Sequence, residues 1–254
     1  MANERLRNSM QLKGFTTQKA ATEIGVDRKT VERWITKNRT PYPRYRHNLA
    51  SLLGESENYL WPDALPEDKQ VSASEAEIVE TYPRRFSVPN DVWKRLFQNS
   101  SKFIGILAYS GLFLPEQDPD LIETLKAKAK NGTKIYILLG NPESVAVETR
   151  GAEEGIGTAM AAKIRNVLSF YQDLEGIDGI HVGYHDTTLY NSIYRFDQEM
   201  LVNSHIYGFP AAHAPVIHLK EISGGTMFQT YSDSFDRVLS RSHSIWNNQV
   251  GKVR

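Results

Sequence analysis

Residues 16–38 read TTQKAATEIGVDRKTVERWITKN, and this stretch determines the fold expected for the amino-terminal part of the chain. Small and apolar residues recur there at the spacing of one helix face, namely Ala20, Ala21 and Ile24. Thr17 is predicted to cap this first helix through its hydroxyl group. Gly25 then predicts a tight turn, because glycine adopts left-handed backbone angles without steric cost.

A second helix is predicted directly after this turn, with Asp27 as its cap. Its apolar residues at helical spacing are Val31, Trp34 and Ile35, so Trp34 is interpreted as a core residue rather than one that stacks on bases. The polar residues that project away from this core are Arg28, Lys29, Thr30, Glu32, Arg33 and Thr36. A small-residue helix, a glycine turn and a basic second helix together indicate a helix-turn-helix.

The charge of the chain is divided unevenly along the sequence. The whole chain carries 30 basic and 30 acidic residues, whereas residues 1–50 hold eleven Lys and Arg against four acids, a net charge of +7. The remainder therefore has a net charge of −7. This asymmetry is expected when one end of a protein binds a polyanion, although a solvated basic surface is the simpler alternative.

The helical segment resembles the Cro/C1-type (Xre family) repressor helix-turn-helix at Gln18, Ala21, Gly25, Val26 and Val31. The likeness continues through RYRHNLASLLGESENYLWPD (residues 44–63), where Leu49, Leu52 and Leu53 would close a small core. In that family the second helix of the motif enters the major groove of double-stranded DNA. The resemblance implies that the DNA-binding residues are Thr17, Gln18, Arg28, Lys29, Thr30, Arg33 and Arg39.

These residue types suit that role, because Arg and Lys donate to guanine or phosphate and Thr can bond a base edge. Arg39, Arg44 and Arg46 follow the second helix, where a clamp on flanking phosphates and plain surface charge are both open interpretations. Which side chain reads which base is not determined by the sequence.

A linker is predicted from composition. WPDALPEDKQVSASEA (residues 61–76) contains two prolines and many small polar or acidic residues without an apolar period. The predicted organisation is a DNA-binding domain at 1–62, a linker at 63–76 and a second domain at 77–254. The expected fold class is α plus α/β, an all-helical domain joined to a mixed-sheet domain.

Strand-like and helical stretches alternate after the linker. The predicted strands are 102–110, 134–140, 179–184, 189–196, 200–207 and 215–222. The predicted helices are 121–131, 159–174 and 227–240. Helices between strands argue for a mixed sheet covered by helices on both faces.

This order of elements resembles one half of the phospholipase D-like fold, with ILAYSGLFLP, IYILLGNPES and IYRFDQEMLVNSHIYG as the local cues. Active members carry His-x-Lys-x4-Asp on the hairpin, followed by Gly-Ser-x-Asn. Here residues 189–192 occupy the hairpin positions, and only Asp197 and the stretch 203–205 retain a likeness. Since the histidine is the nucleophile of that class, the resemblance implies a catalytically degenerate domain, a pseudoenzyme that is not an enzyme.

Other chemistry is sparsely signalled. His218-Leu219-Lys220 is the one literal His-x-Lys, and it is interpreted as coincidental because Gly225 stands where an Asp is required. His181 and His185 lie on a strand and a loop rather than on a helix, so no metal site is predicted. No nucleotide-binding glycine motif is present, and no cofactor is expected.

A ligand pocket is predicted where open α/β sheets usually bind ligands, at the carboxyl ends of the strands. Its expected lining is Tyr109, Ser110, Asn141, Glu143, Tyr194, Arg195, Asp197, Asn203 and His205. These residues could equally be satisfied polar groups at strand ends, and Arg195 and Asp197 could form a local ion pair. The resemblance also implies pairing of two halves, hence a homodimer with two recognition helices on a two-fold operator.

The sequence holds no cysteine, no apolar run long enough for a membrane span and no apolar signal core, so a cytoplasmic protein without a membrane partner is expected. The leading hypothesis is a sequence-specific transcriptional regulator whose second domain dimerises and senses a small-molecule effector. The alternative is a DNA-targeted phosphodiesterase or nuclease with a rearranged active site, whose metal-independent activity would be lost on His205→Ala or His218→Ala. A third hypothesis is a regulator whose second domain only dimerises, without a ligand.

Overall fold

The computed structural model describes residues 2–64 and 73–246 of the chain. Most of the predicted linker at 63–76 lies outside the described residues, and so does the carboxyl-terminal stretch 247–254 of the predicted second domain. No helix in the described part of the chain is both long enough and apolar enough to cross a membrane.

The chain divides into two compact units. One comprises Met1–Glu77 together with Glu221–Gln229, and the other comprises Ile78–Lys220 together with Thr230–Arg254. A short segment from the far end of the sequence thus belongs to the amino-terminal unit. The carboxylate of Glu77 connects the two parts of that unit, because it accepts hydrogen bonds from the backbone N–H of Met227 at 2.7 Å and of Phe228 at 3.3 Å.

The described residues 2–64 are helical, as the sequence predicts. The helices are α1 (Glu4–Leu12), α2 (Thr17–Ile24), α3 (Arg28–Thr36), α4 (Pro43–Leu53) and α5 (Glu57–Leu60). One apolar face of each longer helix turns inward, and the fully buried side chains are Leu6, Ala20, Val31, Leu49, Leu53 and Leu60. Trp34 is 5% exposed and packs in this core, as expected from its spacing.

The turn between α2 and α3 has the expected glycine geometry. Gly25 ends α2 in the left-handed region, with φ 71° and ψ 44°. The N–H of Val26 then donates to the carbonyl of Ala21 at 2.9 Å, and the side chain of Val26 packs against the helical core. These contacts determine the direction in which α3 leaves the turn.

Asn3 connects the ends of three helices in the first unit. Its side chain caps α1 by accepting the N–H of Leu6, and its amide donates to the carbonyl of Leu60 at 2.7 Å. Its backbone N–H donates to the carbonyl of Ile35 at 2.6 Å. Because Asn3 is buried, these bonds satisfy polar groups that would otherwise be costly to bury.

The second unit is built on a mixed sheet flanked by helices. Its strands are β1 (Ile78–Tyr82), β2 (Phe103–Ala108), β3 (Lys134–Gly140), β4 (Ile180–His185), β5 (Asn191–Phe196), β6 (Glu199–Ser204), β7 (Val216–Lys220) and β8 (His243–Ser244). Its helices are α6 (Asn90–Asn99), α7 (Phe113–Gln117), α8 (Leu121–Lys130), α9 (Val145–Glu153), α10 (Ala159–Tyr171) and α11 (Met227–Leu239), the last of which begins in the first unit.

The eight described strands are ordered β1-β7-β6-β5-β2-β3-β4-β8. Strands β2, β3 and β4 run parallel, whereas β5 runs antiparallel to β2 and is followed by antiparallel β6, β7 and β1. The direction of the sheet therefore reverses between β2 and β5. As a result, the start of β5 and the end of β6 lie at the same edge as the carboxyl end of β2.

Helices cover both faces of the central strands. On one face, α6 places the ring of Phe97 4.8 Å from that of Phe196 on β5. On the other face, α11 approaches so closely at Gly105 that a Cβ atom there would lie 2.7 Å from the Phe235 ring. The strands between them are accordingly buried on both sides, as the apolar runs in the sequence predict.

All six predicted strands and the three predicted helices of this region are present, with ends that differ by a few residues. Five further elements of the structure were not predicted from the sequence, namely β1, β8, α6, α7 and α9. Strand β1 is mostly exposed along its length and β8 has two residues, so neither carries a clear apolar period. They become strands because β7 and β4 offer unpaired edges to them.

Asp197 anchors the β5–β6 hairpin to the start of β2. Its carboxylate accepts hydrogen bonds from the backbone N–H groups of Ser101 at 2.8 Å, Lys102 at 2.9 Å and Phe103 at 2.7 Å. Burial opposes ionisation of this carboxyl, but these hydrogen bonds outweigh it and hold the pKa of Asp197 below its ordinary value. Asp197 also adopts φ 50°, which Asp and Asn tolerate better than most residues.

We expect Asp197→Asn to lower the free energy of unfolding by about 1–3 kcal/mol at pH 7, because an amide presents one acceptor oxygen where the carboxylate presents two. A carboxyl group whose folded pKa is depressed stabilises the fold above its unfolded pKa of about 3.9, and this contribution is lost as the pH falls through the folded pKa. The difference in the free energy of unfolding between the variant and the original protein, measured by urea unfolding, should therefore become smaller below about pH 4. Asp178→Asn, at an exposed carboxylate, is the control; equal effects of the two substitutions would contradict the anchoring role.

Candidate functional site

The ends of α2 and α3 are capped by side chains. Thr16 accepts the backbone N–H of Lys19 at 3.1 Å, so Thr16 caps α2 and the predicted cap, Thr17, is the first residue of the helix. Asp27 accepts the N–H of Lys29 at 2.7 Å and caps α3, as predicted. Both caps satisfy N–H groups that have no partner within the helix, so the first turn of α3 is well defined.

The exposed face of α3 carries a group of cations. Arg28, Lys29 and Arg33 are exposed on the side of the helix away from the core, while Thr30 is half-buried. Arg28 forms an ion pair with Glu32 one turn later, at 2.7 Å. Lys29 and Arg33 form no ion pair within the described residues, so their charges are available to an external anion.

The remaining residues of the predicted DNA-binding set lie on either side of α3. Thr17 is half-buried and Gln18 is exposed, both in the first turn of α2. Arg39 is exposed in the segment that follows α3. The whole predicted set therefore lies on α2, α3 and the residues directly after α3.

The structure excludes Arg46 from a clamp on flanking phosphates. Its side chain is buried, pairs with Glu57 at 3.2 Å and donates to the carbonyl of Pro41 at 3.1 Å. Arg46 lies within α4 rather than in a loop, and its guanidinium holds α4 to α5. Arg44 is exposed and lies over the ring of Tyr45, with 4.4 Å between guanidinium carbon and ring centroid.

A cavity of about 110 Å³ lies in the second unit, where β2 and β6 end and β5 begins. Four residues of the predicted pocket line it, namely Tyr109, Ser110, Tyr194 and His205. The polar residues that sequence analysis missed are Arg85, Glu154, Lys163 and Ser192. Ser192 belongs to residues 189–192, which occupy the hairpin positions where active phospholipase D-like proteins carry their catalytic motif. That resemblance was the available signal that Ser192 lies near a site.

Ser192 and His205 are joined across the β5–β6 hairpin. The Ser192 Oγ lies 3.0 Å from His205 Nε2, and His205 Nδ1 lies 3.1 Å from the carbonyl oxygen of Leu189. Since a carbonyl can only accept, Nδ1 carries the proton that is donated to Leu189, and Nε2 accepts from the Ser192 hydroxyl. The ring also stacks on Tyr109, with centroids 5.5 Å apart.

His205 is neutral in this environment. Burial lowers the pKa of His205 to about 4, and the positive charges of Arg150 and Arg85 act in the same direction, whereas the bond to Leu189 opposes them. Both ring nitrogens are occupied by hydrogen bonds within the protein. This histidine therefore acts as a neutral hydrogen-bonding group and has no free ring nitrogen for attack on a substrate.

Arg150 shapes the rim of the cavity. It is 4% exposed and pairs with Glu154 at 2.8 Å. It also donates to the carbonyl of Phe209 at 2.8 Å and, at 3.4 Å, to that of Ile206. The loop that follows His205 is thereby held against α9.

Five residues of the predicted pocket do not line the cavity. Asn141 donates to Asp186 at 2.9 Å, and Glu143 pairs with Arg165. Asn203 is buried opposite Ser192, and its amide donates to the carbonyls of Ala214 and Pro215. The other two are Arg195 and Asp197.

Arg195 and Asp197 lie elsewhere because β5 is antiparallel to β2. The end of β5 therefore meets the start of β2, and Asp197 binds residues 101–103 at the edge opposite the cavity. Arg195 lies on the other face of the sheet from Tyr194, with its guanidinium 4.7 Å from the ring centroid of Phe103. Asp197 bonds backbone N–H groups and the Ser101 hydroxyl rather than Arg195.

The remaining histidines form no metal site among the described residues, which contain no group of three or more potential ligands. His218, from the literal His-x-Lys, bonds Glu199 through Nε2 at 2.9 Å, away from the cavity. Burial lowers the pKa of His185 to about 4.

The chain is only weakly similar to known protein structures. No protein-family model and no curated protein matches the sequence. One similar solved structure is TrmBL2, described as an archaeal chromatin protein with a novel mode of DNA binding, at 12% identity and TM-score 0.42 over 79% of this chain and 62% of that one. Another is the phospholipase D family member Nuc from Salmonella typhimurium, at 13% identity and TM-score 0.36 over 61% of this chain and 89% of that one. The chain thus covers less than two thirds of TrmBL2, and likenesses at this level identify no family.

We expect the imidazole of His205 to remain neutral until the pH approaches about 4, as followed by its Cε1–H resonance in an NMR titration. The unfolded chain, with a histidine pKa of about 6.5, binds more protons below that pH. The stability that neutral His205 contributes is therefore complete above about pH 6.5 and is lost as the pH falls toward about 4. His205→Gln, which also assigns the resonance, should flatten this dependence, whereas the exposed His213→Gln serves as the control. A midpoint near 6.5 would contradict the geometry described.

Proposed function

We propose that the protein is a homodimeric, sequence-specific regulator of transcription that binds double-stranded DNA in the cytoplasm. In this proposal α2 and α3 form a helix-turn-helix of the Cro/C1 (Xre) type, and α3 is the recognition helix. The second unit, of phospholipase D-like type, is proposed to dimerise and to bind a small-molecule effector without catalysing a reaction.

The observation that carries the DNA-binding proposal is the division of α3 into two faces. Val31, Trp34 and Ile35 are buried in the helical core, so the residues of the opposite face do not pack in that core. That face presents Lys29 and Arg33 without ion-pair partners among the described residues. Unpaired cations on a helix held rigidly at its amino-terminal end suit contact with base edges and phosphates.

The charge of the first fifty residues supports the same proposal. Their net charge of +7 attracts a polyanion over a longer range than any single contact, and the release of counterions from DNA favours binding. Most of this positive charge is exposed, since Arg46 is the buried exception among these basic residues. A homodimer would place two copies of α3 on a two-fold operator.

The absence of catalysis is proposed on the chemistry of the cavity. The histidine that lines it, His205, is neutral, and both of its ring nitrogens bond Leu189 and Ser192. A base whose pKa is about 4 is a weak acceptor for the Ser192 proton at neutral pH, so the pair is poorly suited to activate a nucleophile. These features favour a binding site over the alternative of a phosphodiesterase.

The proposed function is tested by selecting binding sites from a random duplex library with the full-length protein at physiological salt. A dimeric regulator selects a two-fold motif whose half-sites are about one helical turn, roughly 10 base pairs, apart. The full-length double variant Arg28→Ala/Arg33→Ala is a cleaner control than a truncated chain, because residues 221–229 belong to the first unit. Enrichment of the same motif by this variant, or of no motif by the original protein, would refute the proposal.

On the selected operator, we expect Arg33→Ala to weaken binding by about 1–3 kcal/mol and to relax sequence preference at one position if Arg33 reads a base. If Arg33 contacts phosphate instead, all sequences weaken alike and the salt dependence falls by about one unit of slope. Arg7→Ala is the matched control, since Arg7 is an exposed arginine of the same unit that already pairs with Glu4 on α1. Binding affinities measured by fluorescence anisotropy at several salt concentrations separate these cases, and an unchanged affinity would exclude Arg33 from the interface.

A further inference from the structure

We propose that the cavity at the ends of β2 and β6 binds a small oxyanion, a carboxylate or a phosphate group, and that this anion is the recognised part of the effector. The inference deepens the effector role proposed for the same cavity and depends on it. It follows from the charges and the hydrogen-bonding capacity of the cavity wall.

Two cations that line the cavity form no ion pair in the described part of the chain. Arg85 and Lys163 both line the cavity, and neither forms an ion pair within the described residues. Arg85 is held in place, because its guanidinium carbon lies 4.0 Å from the ring centroid of Phe113 and its backbone N–H donates to the carbonyl of Ala214 at 3.0 Å. A positioned guanidinium presents paired N–H donors that match the oxygens of carboxylate and phosphate.

The negative charge in the wall is already neutralised. Of the described residues that line the cavity, Glu154 is the one with a carboxylate. Its side chain is 6% exposed and pairs with Arg150, which is 4% exposed, at 2.8 Å. His205 is neutral and adds no charge of either sign. The charge that remains for a ligand is therefore the positive charge of Arg85 and Lys163.

A buried hydroxyl group at the cavity has no partner of normal geometry. The side chain of Tyr194 is fully buried and lines the cavity, yet its OH forms no hydrogen bond within the described residues. Buried polar groups in folded proteins nearly always have a partner, and a ligand or an ordered water can supply it. Ser192 and Arg85 lie close enough to this hydroxyl to lower its pKa against the effect of burial, but neither makes a hydrogen bond of normal geometry with it.

These groups together form a set of donors around a small space. Two cations and one phenol can donate, whereas the acidic and imidazole groups are already satisfied within the protein. A volume of about 110 Å³ accommodates a compact anionic group rather than a large apolar ligand. An oxyanion satisfies the Tyr194 hydroxyl and both cations at once, which a neutral polyol does not.

The test is calorimetric and thermal titration of the full-length protein with sodium phosphate, with malonate and with glycerol at constant ionic strength. We expect saturable heat and a rise in melting temperature with phosphate or malonate, and neither with glycerol. Arg85→Gln should raise the dissociation constant for the anion by about tenfold or more, because a charge-assisted hydrogen bond is lost. Lys163→Gln should raise the dissociation constant as well, whereas Lys130→Gln, at an exposed lysine of α8, should leave it unchanged.

Tyr194→Phe provides a readout that misfolding cannot imitate. Removing a buried hydroxyl that has no partner should leave the melting temperature of the unliganded protein equal or higher, while the rise induced by the anion becomes smaller. The inference is overturned if no saturable anion binding occurs, if glycerol binds equally well, or if the cavity variants respond like Lys130→Gln.

This outcome is distinguishable from failure of the proposed function, because the titration requires no DNA. Anion binding without operator selection would overturn the DNA-binding proposal and leave the cavity as an oxyanion site. Operator selection without anion binding would overturn the cavity inference alone. Anion binding that leaves operator affinity unchanged would overturn the effector role.

Discussion

The reversal of strand direction between β2 and β5 is the constraint on which the second unit depends. Because β5 pairs antiparallel to β2, the hairpin that follows returns β6 to the edge where β2 ends. Ser192 at the start of β5 and His205 just after β6 consequently meet at 3.0 Å. The turn of the same hairpin lies at the opposite edge of the sheet. There Asp197 accepts hydrogen bonds from three backbone N–H groups of residues 101–103, where β2 begins. One hairpin thus builds the cavity at one end and locks the sheet at the other.

Both units bury polar side chains whose contacts bear on the fold or on the cavity. In the helical unit, the buried side chains of Asn3 and Arg46 bond to helix ends, to Glu57 and to the carbonyl of Pro41, and these contacts hold short helices together. Short helices are marginal alone, and such contacts supplement a small apolar core. In the sheet unit, Tyr194 is buried without a hydrogen-bond partner among the described residues, and Arg85 and Lys163 lack ion pairs there. Among the buried polar atoms of the described residues that lack a hydrogen-bond partner, the Tyr194 hydroxyl is the one that lines the cavity, where a bound ligand could supply the partner.

Local sequence patterns predicted the helices and strands well, but they predicted poorly which side chains contact one another in the folded protein. Thr16 rather than Thr17 caps α2, a shift of one residue that sequence alone rarely resolves because both side chains can serve as caps. Arg46 was grouped with exposed arginines, yet α4 turns it toward Glu57. Arg195 and Asp197 were assigned to the pocket because they stand at the carboxyl end of a predicted strand, where open α/β sheets usually bind ligands. Because β5 pairs antiparallel to β2, its carboxyl end lies at the edge opposite the cavity, and the alternation of side chains places Arg195 on the opposite face from Tyr194.

The sequence by itself determined the helical pattern of residues 16–38, the basic character of the first fifty residues, and the six principal strands of the mixed sheet. These features are local, since apolar periodicity, capping residues and glycine turns act within a few residues of the chain. Only the tertiary structure decided that Arg85, Lys163 and Ser192 join Tyr194 and His205 around one cavity. These residues come from separate elements, and their meeting depends on strand order and direction, which are set by long-range pairing rather than by any local pattern.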